Sequence, residues 1–163
     1  MKVLIYDRDI VLTDAVKEKY DCVIHADGKY APCQGCFKCW TKTPATCVMK
    51  DKLHEMCRII GMTKDLVIVT ENWYGGYSPA VKNILDRSIG MSTPMSTYRG
   101  WQMHHVLRYG RYNSARIYVT GDVSDKEKET WKFMTDRNAL NWGVGDYELS
   151  FTDPFDEKEG SLS

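Results

Sequence analysis

The segment 65-DLVIVTENWYGGYSPAVKNILDRSIG-90 decides the fold, because it predicts a strand, a tight loop and a helix in that order. Leu66–Thr70 is a short apolar and β-branched run, the pattern of a strand that is buried on both faces. Ser78 and Pro79 predict the helix start, since serine caps the first turn and proline has a preset φ and no N–H. Apolar side chains follow at helical spacing until Gly90, which predicts the helix end.

The loop inside this segment places three aromatic rings around two glycines, in the order Asn72-Trp73-Tyr74-Gly75-Gly76-Tyr77. Open α/β sheets bind ligands at the carboxyl ends of their parallel strands, where this loop should lie. Glycines let backbone amides approach a flat ligand, and aromatic rings stack on it. Two interpretations stay open: a ligand-binding loop, or a Gly-Gly turn whose rings pack on neighbouring parts or on a second subunit.

Strands and helices alternate along the rest of the chain. Further strands are predicted at Lys2–Tyr6, Cys22–Ala26, Ala115–Thr120 and Tyr147–Phe151. Further helices are predicted over Leu12–Tyr20, from a cap at Asp51 to Gly61, and from the capping box Ser124-Asp125-Lys126-Glu127 to Trp142. A cysteine-bearing loop (27–47) and an irregular insertion (91–113) interrupt this pattern, and a polar tail (152–163) follows one domain, residues 1–151.

This alternation predicts a parallel sheet with helices on both faces, a three-layer α/β sandwich. Five strands in one domain favour the flavodoxin-like order 2-1-3-4-5. Because the switch point of that order lies between the first and third strands, the loops after Tyr6 and Glu71 should line one crevice.

Composition and charge exclude several classes of function. The chain has 163 residues, with 22 basic and 22 acidic side chains, so the net charge is zero and no basic stripe favours nucleic acid. No apolar run is long enough to span a membrane, and Met1-Lys2-Val3 begins a strand rather than a signal peptide. We therefore expect a cytoplasmic protein, whose six cysteines do not form a disulfide framework.

Four cysteines follow one another with the spacing Cys33-x2-Cys36-x2-Cys39-x7-Cys47. Three thiolates at this spacing can turn toward one centre, which suits a [4Fe-4S] cluster with a fourth ligand from further along the chain. Zinc also takes four thiolates, but its structural sites usually show two separated cysteine pairs. Free thiols in a packed loop are the third interpretation, and Cys22 and Cys57 are interpreted as small buried hydrophobes.

Two motif blocks give the chain a resemblance to a known family. They are Gly28…Cys33-Gln34-Gly35-Cys36-Phe37-Lys38-Cys39-Trp40…Pro44…Cys47…Asp51 and Tyr74-Gly75-Gly76-Tyr77-Ser78-Pro79-Ala80-Val81-Lys82-Asn83…Asp86-Arg87. Over about Lys2–Phe151 the sequence resembles the flavodoxin-like NAD(P)H-dependent FMN reductases, in the branch related to iron–sulfur flavoproteins. The resemblance implies bound FMN, electron transfer from NAD(P)H to a small-molecule or protein acceptor, and a homodimer or homotetramer.

The resemblance also implies roles for particular residues. It places Asn72, Trp73, Tyr74, Gly75 and Gly76 against the isoalloxazine ring of FMN, with Gly121 and Asp122 near the flavin. The amides of Gly75 and Gly76 would point at the polar edge of the ring, where donors stabilise the charge that develops on reduction. The implied cluster ligands are Cys33, Cys36, Cys39 and Cys47. No catalytic acid or base is expected, because the cofactor performs the hydride chemistry.

The segment after the first strand, Asp7-Arg8-Asp9-Ile10-Val11-Leu12-Thr13, departs from the family pattern. It lacks the glycines and most of the hydroxyls with which a helix N-terminus holds the FMN phosphate. Each carboxylate beside a phosphate dianion would be repelled by it, at a cost of a few kcal/mol for charges ~4 Å apart and an effective dielectric constant of ~20. Arg8 and Thr13 remain as candidate phosphate contacts.

Three functions therefore compete. The first is an FMN-dependent oxidoreductase that uses NAD(P)H, with or without a cluster; the second is a flavin and iron–sulfur electron carrier. The third is a flavodoxin-fold protein without flavin, whose cysteine loop acts as a redox or metal sensor or an interaction module. The insertion carries a group of cationic side chains with two open interpretations: binding of an anionic nicotinamide phosphate or substrate carboxylate, or a polar dimer interface. These residues are Arg99, His104, His105, Arg108 and Arg111.

Overall fold

The structure is a computed structural model that describes residues 1–110 and 112–155, without the side chains of residues 112 and 113. Its strands are β1 (Lys2–Tyr6), β2 (Cys22–His25), β3 (Asp65–Glu71), β4 (Ser92–Arg99), β5 (Gln102–Leu107), β6 (Tyr112–Thr120) and β7 (Val144–Ser150). Its helices are α1 (Asp14–Lys17), α2 (Lys38–Thr41), α3 (Met56–Met62), α4 (Pro79–Asp86) and α5 (Asp125–Trp142), with a 3₁₀ turn at Ile89–Met91.

Five parallel strands form the main sheet in the order β2-β1-β3-β6-β7. When the strands of this sheet are numbered in chain order, the arrangement is 2-1-3-4-5. The fold is therefore the predicted flavodoxin-like α/β fold. β3 lies at the centre, paired with β1 and β6, and its residues Leu66–Val69 are fully buried, as their continuous apolar run predicts.

The two faces of the sheet are covered unequally. One face packs its alternate residues, such as Ile5 and Ile68, against a large cluster that contains side chains of α3, α4 and α5. The opposite face packs Leu4 and Val67 against a smaller cluster, to which the chain around α1 and the segment near Phe155 contribute. Within the described part of the chain, the helical layer on this face therefore consists of the short helix α1.

Two helices differ from the sequence prediction. α1 covers Asp14–Lys17 rather than Leu12–Tyr20, and Thr13 caps it by accepting a hydrogen bond from the Val16 amide. Asp51 caps no helix, because its carboxylate accepts hydrogen bonds from the Ala31 and Leu53 amides and from a buried arginine. α3 begins later, at Met56.

The insertion is not irregular, as the sequence analysis expected, but an antiparallel hairpin of β4 and β5. The strands pair through Tyr98 and Met103, and the turn is at Gly100 and Trp101. Most of both strands is exposed, so they lack the buried apolar run by which the central strands are recognised. β7 also begins earlier than predicted, at Val144.

Two helix starts follow the prediction closely. Ser78 accepts a hydrogen bond from the Val81 amide, with Pro79 as the first residue of α4. Ser124 and Glu127 form both hydrogen bonds of a capping box at the start of α5. α4 ends at Asp86, and Gly90, the predicted stop, lies in the 3₁₀ turn that follows. No helix of the described residues is long and apolar enough to cross a membrane.

Candidate functional site

A cavity of about 640 Å³ opens at the carboxyl ends of β1, β2 and β3. Its lining is Asp7, Asp9, His25, Ala26, Asp27, Gly28, Lys29, Glu71, Trp73, Ser78, Pro79, Ala80 and Asn83. Since residues from the loops after Tyr6 and Glu71 both contribute, the two loops line one crevice, as the strand order predicts. This is the position where folds of this class bind ligands.

Carboxylates dominate the charge of this cavity. Asp7, Asp9, Asp27 and Glu71 line it together with one lysine, Lys29, and Asp27 also forms an ion pair with Lys52. Asp7 is fixed at the rim, because its carboxylate accepts hydrogen bonds from the Thr70 hydroxyl at 3.0 Å and from the Glu71 amide at 3.0 Å. Overall neutrality of the chain therefore conceals a locally acidic crevice, which disfavours anions.

The two candidate phosphate contacts after β1 have other partners. Arg8 forms an ion pair with Asp153 at 3.0 Å, and the Thr13 hydroxyl caps α1. Neither residue lines the cavity. A phosphate dianion here would instead meet Asp7 and Asp9, so this segment does not fit the phosphate group of FMN.

The aromatic loop after β3 closes on itself as a tight turn. The amides of Trp73 and Gly76 donate to each other's carbonyls, at 2.9 and 3.1 Å. Tyr74 and Gly75 have φ of 52° and 81°, the left-handed values that a type I′ turn requires at both central positions. The Gly75 amide donates to the Asn72 side chain at 3.1 Å. The expectation that the Gly75 and Gly76 amides point at a flavin is thus not met, because both are paired within the loop.

Asn72 connects this loop to the loop after β6. Its side-chain nitrogen donates to the Asp122 carbonyl at 2.8 Å, and its side-chain oxygen also accepts from the Trp131 indole at 2.9 Å. Gly121, with φ of 84°, lies in the connected loop. The structure therefore brings the residues predicted from these two loops together at one edge of the sheet. Trp131 is a core residue of α5, and its contact with this loop was not predicted from sequence.

The three rings of the aromatic loop have different surroundings. Trp73 is half exposed at the cavity, and Tyr74 is almost fully exposed, with its ring edge-on to Trp73 at 5.8 Å between centroids. Tyr77 is buried against Trp131 at 4.9 Å, and burial raises its pKa to about 12. Only Trp73 combines exposure with a place in the cavity wall, so it is the ring best placed to stack on a ligand.

The four cysteines of the motif all line one small cavity of about 60 Å³, with Cys33 and Cys36 exposed and Cys39 and Cys47 half-buried. Among the residues that the structure describes, no group of three His, Cys, Asp or Glu side chains is arranged to hold a metal ion. The four thiols in this conformation are therefore not grouped as the ligands of a four-iron cluster would be.

Cys39 contacts Cys57, a cysteine outside the motif. Interaction with the Cys57 side chain lowers the pKa of Cys39 to about 7, and the charge of Arg108 acts in the same direction. The pKa of Cys57 is raised by the same interaction and by burial. Sequence spacing gave no sign of this pair, because the two cysteines belong to different helices.

A buried arginine anchors the cysteine loop. Arg87 is 1 % exposed and donates to the Ala31 carbonyl at 3.0 Å, to the Met49 carbonyl at 3.3 Å and to the Asp51 carboxylate at 2.5 Å. The hydrogen bond from Arg87 holds the pKa of Asp51 below its usual range. Asp51, predicted as a helix cap, instead pairs with Arg87, a contact that no local sequence pattern indicates.

The cationic residues of the hairpin mostly contact backbone carbonyls. Arg99 donates to the Leu140 and His105 carbonyls, and Arg108 donates to the Gly90 and Trp40 carbonyls. These interactions give both arginines a structural role in attaching the hairpin. Arg111, the fifth residue of the predicted anion site, lies outside the described residues.

No family model and no curated protein matches the sequence. Among solved structures, the chain is similar to the apo form of an NADH:FMN oxidoreductase (EMOB), with a TM-score of 0.47 and 14 % sequence identity. The similarity covers 90 % of this chain and 74 % of that chain. A likeness at this level concerns the path of the chain and says nothing about the ligand.

Proposed function

We propose that this chain is a flavin-dependent oxidoreductase that binds an isoalloxazine ring in the cavity beside Trp73. The observation that carries the proposal is the 640 Å³ cavity at the switch point, with a half-exposed tryptophan in its wall. The motif blocks that resemble the FMN reductases support the same conclusion. NAD(P)H is the proposed electron donor, and the acceptor is a small molecule or a protein.

The flavin is held by its ring rather than by its phosphate. A bound flavin supplies the electron chemistry, while the protein supplies position and surroundings. Trp73 covers one face of the ring, and Asn72 keeps the loop that carries Trp73 attached to the loop after β6. Because Asp7 and Asp9 oppose a dianion, the phosphate of FMN must lie outside 7–13.

Titration of flavin with the Trp73→Ala variant tests the position of the ring. We expect riboflavin affinity to fall about tenfold, since loss of a stacked aromatic side chain costs about 1.4 kcal/mol. Tyr74→Ala is the matched control, because Tyr74 is the neighbouring ring but does not line the cavity. Equal affinity of the Trp73→Ala variant and the original chain would place the ring elsewhere.

An assay of NADH or NADPH oxidation in the presence of riboflavin tests the activity. The reaction is monitored by the loss of the absorbance of the reduced nicotinamide. We expect turnover that depends on both flavin and protein. Flavin binding without such turnover would support an electron carrier instead of a nicotinamide-dependent enzyme.

We also propose that the chain forms a homodimer or homotetramer through the hairpin. The side chains of Met95, Tyr98, Trp101 and Met103 are exposed on β4, β5 and their turn, and Trp101 is completely exposed. Such concentrated apolar exposure is typical of an interaction surface. Light scattering should show an oligomer that Trp101→Ser weakens; a monomer at all concentrations would contradict this.

A second candidate function is a redox protein that works through its cysteine loop without flavin. The acidic crevice and the contact of Cys39 with Cys57 favour it specifically. A protein that binds no flavin but whose cysteines are reversibly oxidised would favour this candidate.

A further inference from the structure

Two cysteines from different helices meet at Gly90. Cys39 lies in α2 and Cys57 in α3, and both side chains lie against the 3₁₀ turn that contains Gly90. A Cβ placed on Gly90 would lie 2.7 Å from Cys57 Sγ and 2.8 Å from Cys39 Cβ. Because a side chain at position 90 would collide with both cysteines, glycine at this position lets both of them lie against the turn.

The two thiols differ in access. Cys57 is fully buried, and its Sγ lies 3.1 Å from the carbonyl oxygen of Arg87. Cys39 is half-buried and lines the small cavity of the cysteine loop. A small reagent in solvent can therefore reach Cys39 but not Cys57.

Arg108 and the Trp40 indole attach α2 to the turn that contains Gly90. Arg108 holds the turn in place through the Gly90 carbonyl at 3.0 Å and holds α2 through the Trp40 carbonyl at 2.9 Å. The Trp40 indole donates to the Ile89 carbonyl at 3.0 Å, which joins α2 to the same turn. The helix that carries Cys39 is thus attached directly to the turn over Cys57.

We propose that Cys39 and Cys57 are a redox modification site, at which a hydroperoxide such as hydrogen peroxide converts the two thiols into a reversible disulfide. The inference does not depend on flavin binding. Cys39 is the attacking thiol, and Cys57 is the resolving thiol.

The chemistry balances with hydrogen peroxide as the oxidant. Cys39 Sγ attacks one peroxide oxygen, the O–O bond breaks, and the leaving hydroxide takes the thiol proton to give water and a sulfenic acid. Cys57 Sγ then attacks the Cys39 sulfur, the S–O bond breaks, and the hydroxyl leaves with the Cys57 proton as a second water. The two thiols lose two electrons and peroxide gains them. Two equivalents of a low-molecular-weight thiol reverse the step and become its disulfide.

Peptide mapping after mild oxidation tests the pairing. Protein treated with a chelator and dithiothreitol is desalted without oxygen and exposed to stoichiometric hydrogen peroxide. Free thiols are then blocked with N-ethylmaleimide. We expect the yield of the linked Cys39–Cys57 peptide to exceed that of every other linked pair about fivefold, because native proximity directs Cys57 to the sulfenic acid. Dithiothreitol should restore the free thiols.

Three variants sharpen the result. In Cys57→Ser, Cys39 should accumulate as a sulfenic acid that dimedone traps, since its resolving thiol is gone. In Cys39→Ser, which changes a half-buried side chain, the linked peptide should disappear and Cys57 should stay reduced. Cys22→Ser is the matched control, because Cys22 lies on the edge strand β2, and it should leave the pairing unchanged.

Several outcomes would overturn the proposal. They are a dominant disulfide among Cys33, Cys36 and Cys47, oxidation of Cys39 that never links to Cys57, or the same share of Cys39–Cys57 linkage in guanidinium-unfolded protein. The comparison of folded with guanidinium-unfolded protein uses the unaltered chain. It therefore tests the proposal even if the Cys57→Ser variant fails to fold.

Discussion

At the scale of single residues, the pair of Arg87 and Asp51 has the largest predicted effect on stability. Arg87 is buried, so Asp51→Asn leaves its charge without a counterion. We expect a loss of roughly 3 kcal/mol in the free energy of unfolding, measured by denaturant titration. The control is Asp86→Asn, which breaks an exposed pair with Lys82 and should cost about 0.5 kcal/mol or less. Equal effects of the two variants would contradict this role.

The same pair predicts a pH dependence. Because Arg87 holds the pKa of Asp51 below its usual range, the unfolded chain takes up this proton at higher pH than the folded chain. The stabilisation is complete above the ordinary pKa of aspartate and is lost as pH falls through the lowered pKa of Asp51. The stability difference between the original chain and Asp51→Asn should therefore shrink in acid. A constant difference from neutral pH down to about pH 2 would exclude this linkage.

Gly75 is required by conformation and by space. Its φ is 81°, and an added Cβ would lie 3.2 Å from the Thr130 Cβ of α5. Gly75→Ala should cost about 1–2 kcal/mol of unfolding free energy. Gly76→Ala should cost less, because Gly76 has no positive φ and its nearest atom is 3.6 Å away. Thermal unfolding of both variants measures the difference, and a more harmful Gly76→Ala would refute this reasoning.

At the scale of elements, the short helix α1 and the long helix α5 should lose different amounts of stability when their N-terminal caps are removed. Ser124→Ala removes the capping box of the 18-residue α5 and should cost about 1 kcal/mol. Thr13→Ala removes the cap of the four-residue α1 and should cost less, since that helix has few hydrogen bonds to lose. Denaturant titration should rank the variants in this order; the reverse order would show that α1 has a larger structural role.

The elements also show what sequence can and cannot predict. α4 and α5 were recognisable because Ser-Pro and Ser-x-x-Glu are local signals of a helix start. The hairpin was missed because its strands are mostly exposed and carry no buried apolar run. The contacts of Asp51 with Arg87 and of Cys39 with Cys57 join residues 36 and 18 positions apart, so no local pattern reports them.

At the scale of the whole molecule, strand order was predictable because alternating elements and right-handed crossovers leave few arrangements. The crevice between the loops after β1 and β3 was predictable in position, but the conformation of its loops was not. Its loops meet where the switch point requires, but the turn at Tyr74 and Gly75 uses its own amides. The zero net charge of the sequence did not reveal that four carboxylates line one crevice.

The most direct test of the proposed function is a comparison of riboflavin and FMN affinities, by quenching of flavin fluorescence at constant ionic strength. The proposed function predicts saturable riboflavin binding that is at least as tight as FMN binding, because the proposed mode holds the ring and gives the phosphate no partner in 7–13. Absence of binding by either flavin would contradict the proposed oxidoreductase. Binding of FMN about tenfold or more tightly than riboflavin, worth about 1.4 kcal/mol, would show that the chain has a phosphate site and contradict the mode of binding.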